Sequence, residues 1–522
     1  MIQKQTGFIL PSVLGFLVMI SIIFMAVVQL VGNNITLTNS NIQSQKAFNI
    51  AEAGINYYLW HLSHNPTDYK DGQSTPATQD PQLGYGPYVH NYIDDNAKTQ
   101  GTYTLWIKPQ GGGSTVVKIR AIGQVANTNI KRTIDAQIGA PSFASYAVVS
   151  DTALWFGNTE SANGPIHSNQ GVRMDGASNS DVTSTNATYV PPSNLGGDGS
   201  SKPGVWCHAS ITSPVNCNTR NKSDWRYPVT SIDFNVVSSS LCTMKKVAFL
   251  SDASTASIAA QSNACSQTPN DRTDAYLPQR SSSGSFTTNR GYMIELNPTG
   301  TYNLWQVNGE NDRNTPYTSA LTRVSVANNI AIPASGVIFV EDNVWVRSNP
   351  TFHGRVTIAA GRLASSSQNT EVTIIDDLLY TAKDGSDAIG LVAENSVTIS
   401  PYAPPASGAF NFEVNAAMIA QSGPVNYPSR YRSVNTCTRG WVNGNQTFTF
   451  YGSVATRQSW TWTWFMGGSC GDAAFSATNG YISGILNNTT QYDYNLLYNP
   501  PPSWPVTSTY NVLSWREVLT GP

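Results

Sequence analysis

Charge is scarce in this sequence. Asp, Glu, Lys and Arg supply only 12% of its 522 residues, and the net charge is −2. That balance excludes a uniformly basic nucleic-acid binder, though not a local basic patch. Histidine is scarce too, with six residues, and His167 and His353 stand at no metal-ligand spacing. There is no Ser-His-Asp constellation, no phosphate-binding glycine loop and no calcium loop. The Asp-x-Ser-x-Ser signature of a metal-dependent adhesion domain is missing as well. No catalysis, cofactor or metal is therefore expected. The composition is rich in small polar residues yet keeps 13 Trp and 24 Tyr. That mixture suits a folded, β-rich protein with a polar surface rather than a disordered one. At 522 residues, two or three domains are expected.

The charges are also unevenly placed. After Lys4 the next is Lys46, and an apolar run of about 24 residues from Phe8 to Val31 lies between them, long enough to span a bilayer as a helix. Only one positive charge precedes the run and no small-x-small cleavage site ends it, so a secretory signal does not fit. Beyond the run, Phe48, Ala51, Ile55, Tyr58, Leu59 and Leu62 recur every three or four residues, the stripe of an amphipathic helix. Asn65-Pro66 should stop it. A single helix over 8–64 would then be half in lipid and half packed on protein.

Alternating segments follow. Tyr103, Leu105 and Ile107 form one apolar face, Val117, Ile119 and Ala121 a second, and residues 130–138 a third run. Ala126-Asn127-Thr128-Asn129 reads as the turn between the last two. The pattern predicts a long helix on a small antiparallel meander, ending near residue 140.

The N-terminus, Gly7-Phe8-Ile9-Leu10-Pro11-Ser12, resembles the class III signal of type IV prepilins, and Ala51-Glu52-Ala53-Gly54 resembles a segment of PilX-like proteins. The resemblance covers about the first quarter of the chain. It implies a leader at residues 1–7, cleavage between Gly7 and Phe8, and methylation of the new amine on Phe8. It also implies a membrane precursor that moves to the cell surface on a pilus, with other pilins as partners through the N-terminal helix. Major pilins usually carry Glu at the fifth mature position, where this chain has Ser12. A buried charge needs a partner, and a subunit without that Glu cannot pair with the amine of a neighbour. Minor pilins of the PilX and GspK kind depart in the same way, which implies a place at the fibre tip.

The remaining residues carry an internal repeat. Leu154-Trp155-Phe156 is followed by Gly164-Pro165-Ile166, and Val344-Trp345-Val346 by Gly354-Arg355-Val356 at the same spacing. Looser copies include Val372-Thr373-Ile374, Gly390-Leu391-Val392, Val397-Thr398-Ile399, Met418-Ile419-Ala420 and Phe448-Thr449-Phe450. Short β-branched segments separated by turns predict a β-solenoid over 141–176 and 331–522, with a β-sandwich as the alternative. The stretch 177–330 interrupts the repeats and reads as a cysteine-containing insertion. The fold class expected is mainly β with one long N-terminal helix: a pilin-like α+β domain followed by a β-solenoid.

Six cysteines form three sequence-near pairs, Cys207 with Cys217, Cys242 with Cys265, and Cys437 with Cys470. An even count in a surface protein suggests disulfides, although six cysteines allow fifteen pairings. A Cys437–Cys470 bridge would enclose the stretch richest in binding chemistry. Arg430, Arg432, Arg439 and Trp441 mix cations with aromatics, and Trp460, Trp462 and Trp464 alternate along one strand. Such a set could stack on sugars or bases and hold phosphate. The alternatives are a solvated loop for the arginines and a buried apolar face for the indoles. Asp376-Asp377 suggests a polysaccharide hydrolase, but adjacent strand residues point to opposite faces.

These features predict a non-enzymatic minor subunit of a type IV pilus whose distal domain binds a host-surface glycan or protein. A competence pilin capturing extracellular DNA is the first alternative, and an anchored polysaccharide-active β-helix enzyme the second.

Overall fold

A computed structural model describes residues 9–65, 68–73, 79–109, 115–158, 160–213, 215–251, 265–266, 268, 271–280, 290–364, 370–403, 410–432, 434, 437–438, 440–441, 446–466, 476–477, 480–485, 487–497, 499–506 and 510–518. The chain divides into two compact units. One comprises Met1–Pro109, Val117–Gly139 and Tyr510–Pro522, and the other Gln110–Val116 and Ala140–Thr509.

In the first unit, α1 runs without interruption over Ile9–His64, about 84 Å at 1.5 Å per residue. Its first turns carry exposed apolar side chains, among them Leu14, Phe16, Ile20 and Phe24. The helix is long and apolar enough to cross a membrane there. Farther along, Ala51, Ile55, Tyr58 and Leu62 of the predicted stripe are buried and Phe48 and Leu59 half-buried, and Ala47 and Ile50 are buried beside them. The partner surface is an antiparallel sheet of β1 (Gln79–Asp80), β2 (Gly84–Ile93), β3 (Thr99–Pro109), β4 (Val116–Val125) and β5 (Lys131–Gly139). Leu105, Ile107, Ile119, Ala121, Ile134 and Ile138 form its buried face. The helix lies close on the sheet: a Cβ added at Gly123 would sit 2.1 Å from the Ala47 carbonyl oxygen.

A sixth strand completes this sheet, and it comes from the C-terminus. Asn511–Val518 pairs antiparallel with β5, with Asn511 opposite Gly139 and Trp515 opposite Ala136. The sequence places these residues in the solenoid. Their place here has a nonlocal cause, since the strand repeats no coil and finds apolar partners on α1 and β5. Trp515 packs on Phe48, ring centroids 5.9 Å apart, and Glu517 pairs with Arg132.

The second unit is built from parallel ladders of short strands. One ladder reads, in spatial order, Trp225–Arg226, Val182–Ser184, Ile166–Ser168, Val148–Ser150, Gln446–Thr456, Phe410–Ala420, Ala388–Ala393, Arg355–Ala360, Val337–Val340 and Tyr276–Leu277. A second stacks Gly291–Asn297, Asn343–Ser348, Val372–Ile374, Val397–Ile399, Val425–Asn426 and Trp460–Thr461. A third, shorter one holds Leu154–Phe156, Val172–Met174 and Val205–Trp206. Their inward side chains form one continuous core. The repeated segments occupy equivalent places: Val356 and Ile166 lie in the first ladder, and Val344–Val346 and Leu154–Phe156 in the other two.

The order of coils is not the order of sequence. The chain starts mid-stack at Val148, winds outward to Arg226, crosses to the far end at Tyr276 and winds back until Gln446–Thr456 docks beside Val148–Ser150. Six strand spacings separate the strands at Val148 and Tyr276, about 29 Å at ~4.8 Å each. Helix α2, Asn235–Leu250, covers about 24 Å of that distance. Its polar contacts advance coil by coil: Asn235 accepts from Arg457, Ser238 meets Gln421, and Lys245 pairs with Glu341. Val237, Leu241, Met244 and Ala248 bury against Phe339, Ala359, Val392 and Ile419 on the outer face of the ladder. The stretch 177–330, read from sequence as an insertion, therefore supplies coils at both ends of the stack, and the α2 segment is the strap that connects them.

Candidate binding surface of the distal unit

The sequence points first to the stretch around Arg430 and the tryptophans. Trp460 and Trp462 are only 7% and 1% exposed. They pack edge-to-face on each other with centroids 5.9 Å apart, and Trp462 packs on Phe448 at 5.3 Å. These two indoles fill the core of the distal unit and offer no stacking surface. A bend at Trp462 separates Trp460–Thr461 from Thr463–Met466, so the three indoles do not share one strand face. Trp464 is half-buried, and its indole N–H donates to the Tyr427 carbonyl at 2.7 Å.

Arg432 is held by acids. Its amide donates to Asp312, and its guanidinium pairs with Glu371 and lies 3.6 Å from Glu310. Glu310 also accepts from the Trp345 indole at 2.9 Å and the Tyr402 hydroxyl at 2.6 Å. Burial, reinforced by the Glu310 charge, pushes the Tyr402 phenol well above its ordinary pKa. Three carboxylates thus neutralise the cation expected to meet a ligand, and Arg432 clamps its loop onto the outer face of the second ladder. The backbone of Arg430 bridges to Cys437. Arg439 lies outside the described residues, as does the Trp441 side chain, although the Trp441 backbone pairs with Ile485.

Asp376 and Asp377 are likewise committed to structure. Asp376 pairs with Arg347 at 3.2 Å, and Asp377 accepts from the Glu413 amide at 2.8 Å. Burial raises both carboxyls above the ordinary range. Of the cysteine pairs, Cys207–Cys217 and Cys242–Cys265 are bridged. Cys437 is disulfide-bonded and buried, and Cys470 lies outside the described residues. So do Gly7 and Phe8, while Ser12 lies in the first turns of α1.

A different cluster emerges on the third ladder. Trp155, Arg173 and Trp206 sit at matching register on its three strands. The guanidinium of Arg173 lies 4.4 Å from the Trp155 ring centroid and 5.1 Å from that of Trp206, a cation held between two indoles. Asp175 accepts from Arg173 Nε at 2.7 Å, from the Trp155 indole at 3.0 Å and from the His208 amide at 2.9 Å. The Trp206 indole donates to the Tyr189 hydroxyl at 3.0 Å. Asp175 also lies near Cys207 and Cys217, but a disulfide leaves neither sulfur as a thiolate ligand. The result is a rigid, nearly neutral stack in which Arg173, Asp175 and Trp206 are buried and Trp155 is partly exposed. Its sequence signal was the central Trp of Leu154-Trp155-Phe156. The register with Arg173 and Trp206 was hidden because, of the three segments, the repeat took in Leu154-Trp155-Phe156 alone.

No known protein family matches the chain, and no curated protein does. Among solved structures, the competence-associated pilin ComZ from Thermus thermophilus is similar at 13% identity and a TM-score of 0.26, over 92% of this chain and 98% of that one.

Proposed function

We propose that this chain is a minor pilin-type subunit, non-enzymatic, that displays its distal unit as a binding module. The observation that carries this reading is α1: one uninterrupted helix whose first half is uncharged and exposes mostly apolar side chains and whose second half packs on an antiparallel sheet. A lone anchor would not need a helix that continues from the apolar span into a folded domain. Ser12 leaves the span without a carboxylate, which suits a subunit with no neighbour beyond it. The chain would enter the membrane as a precursor and reach the cell surface on the fibre.

Within the distal unit, the partly exposed Trp155 over Arg173 supports recognition of a neutral ring such as a glycan, because Asp175 cancels the cation. Aromatic stacking suits that ligand class. Mass spectrometry of sheared pili tests the reading. The expected result is this chain in the fibre fraction, beginning at methylated Phe8, with Gly7→Val retaining the precursor in the membrane. A chain absent from the fibre, or still beginning at Met1, overturns it.

A further inference from the structure

The outer face of the pilin-like sheet, turned away from α1, concentrates charge in a chain that has little. On β3, Trp106 and Lys108 alternate with the buried Leu105 and Ile107. On β4, Lys118 and Arg120 alternate with the buried Ile119 and Ala121. The register sets Lys108 opposite Lys118 and Trp106 opposite Arg120, while Arg516 on the C-terminal strand lies opposite Asp135 on β5. Four cations, Lys108, Lys118, Arg120 and Arg516, and one carboxylate, Asp135, line a groove of about 430 Å³ that the exposed Trp515 also borders, while Trp106 lies outside its lining.

Asp135 cannot neutralise the groove. It receives both arms of the Arg120 fork, at 2.7 and 2.9 Å. The Arg516 guanidinium stands 3.8 Å from the same carboxylate, with its side chain 80% exposed. The Lys118 side chain is exposed, and Lys108 donates to the Pro81 carbonyl at 2.9 Å near Asp80 on the groove lip. Residues two apart on a strand project to one face about 6.8 Å from each other, so the cations form two short parallel rows. The half-buried Trp106 adds an aromatic face beside Arg120.

We infer that this groove binds the phosphodiester backbone of a single nucleic-acid strand. A positively charged groove tracks such a backbone, and a neighbouring aromatic ring accepts a base whatever its sequence. Arginine forks and lysine point charges both suit phosphate oxygens. The site belongs to the pilin-like unit and is separate from the Trp155 surface. It holds whether or not the chain enters a fibre, because it concerns the isolated full-length protein.

The test is binding of a fluorescein-labelled oligothymidylate to the full chain in detergent micelles, followed by anisotropy across a salt series. Each phosphate contact contributes about 0.7 to the slope of log K against log salt for a single strand. The doubly substituted Lys118→Gln/Arg516→Gln protein is expected to lose about 1.4 from that slope. Lys118→Arg/Arg516→Lys should keep the wild-type slope, and Trp155→Ala should leave it unchanged. Both positions are exposed, so the thermal transition should not move. An unchanged slope in the doubly neutralised protein overturns the inference. So does a wild-type chain that binds heparin but not the oligonucleotide, which would assign the groove to acidic glycans.

Discussion

Asn511 lies directly opposite Gly139, so the strand that completes the first sheet arrives only after the whole distal unit has been traversed. The distal unit is thereby an insertion between two adjacent strands. Its entry and exit are also paired: Ser142 bridges Val506, and the Phe143 amide donates to the Pro505 carbonyl at 3.2 Å.

Ending the chain at residue 509 is expected to destabilise the first unit although no residue of 1–139 has changed. It would uncover the β5 edge and remove Trp515 from Phe48 and Glu517 from Arg132. Limited proteolysis should then cut within 79–139 at protease levels that leave the full chain intact. Glu517→Ala alone should cost only about 0.5–1 kcal/mol, as partly exposed ion pairs do. If the shortened chain resists protease like wild type, the C-terminal strand is dispensable.

Trp462→Ala is expected to lower stability by about 3–5 kcal/mol. Trp462→Phe should cost much less, because the Trp462 indole N–H has no hydrogen-bond partner among the described residues and Phe removes that orphan donor. Denaturant unfolding of the two variants measures the difference. Equal, negligible losses would place this side chain outside the core.

The strap α2 rests on a buried charge pair. Lys245 and Glu341 side chains are 0% and 2% exposed. Burial pushes the Lys245 ammonium down and the Glu341 carboxyl up, and each partner's charge opposes that shift. Lys245→Met should therefore cost about 3–5 kcal/mol by leaving Glu341 buried and unpaired. Lys245→Met with Glu341→Leu should recover most of the loss. A double variant as unstable as the single would show that something other than the orphaned charge is responsible.

Stability of the first unit should fall in acid through Asp68. Burial pushes its carboxyl up, but the Lys70 and Gly72 amides and His61 more than offset this and hold it below the ordinary range. A depressed carboxyl stabilises the fold above its unfolded pKa, about 3.9, and loses that contribution as pH falls toward the lower folded value. Asp68→Asn should flatten the acid limb of a plot of Tm against pH. An unaltered acid limb would remove Asp68 from the account.

Much of this architecture was legible along the chain. The uncharged stretch between Lys4 and Lys46 and the stop at Asn65 marked α1, because length and periodicity are local properties. Alternation marked β3, β4 and β5 for the same reason, and the repeat marked the coils. The candidate site was less legible. Arg430, Arg432 and the tryptophans looked like a surface because cations and aromatics lie close in sequence there. The acids that neutralise Arg432 come from residues 310, 312 and 371, and the rings that enclose Trp462 come from Phe448 and Phe450.

The sequence by itself determined the kinds of elements: one spanning and packing helix, an antiparallel meander, and short strands that stack in parallel. Those follow from which side chains recur at 3.6 or 2 residues, a matter of neighbours on one chain. Only the tertiary structure decided that the coils wind outward from Val148 and return from Tyr276, that Asn511–Val518 closes the first sheet, and that Trp155, Arg173 and Trp206 form one stack. Each of these depends on which strand edges and apolar faces remain open once other segments have paired, and that is fixed by contacts between residues far apart in sequence.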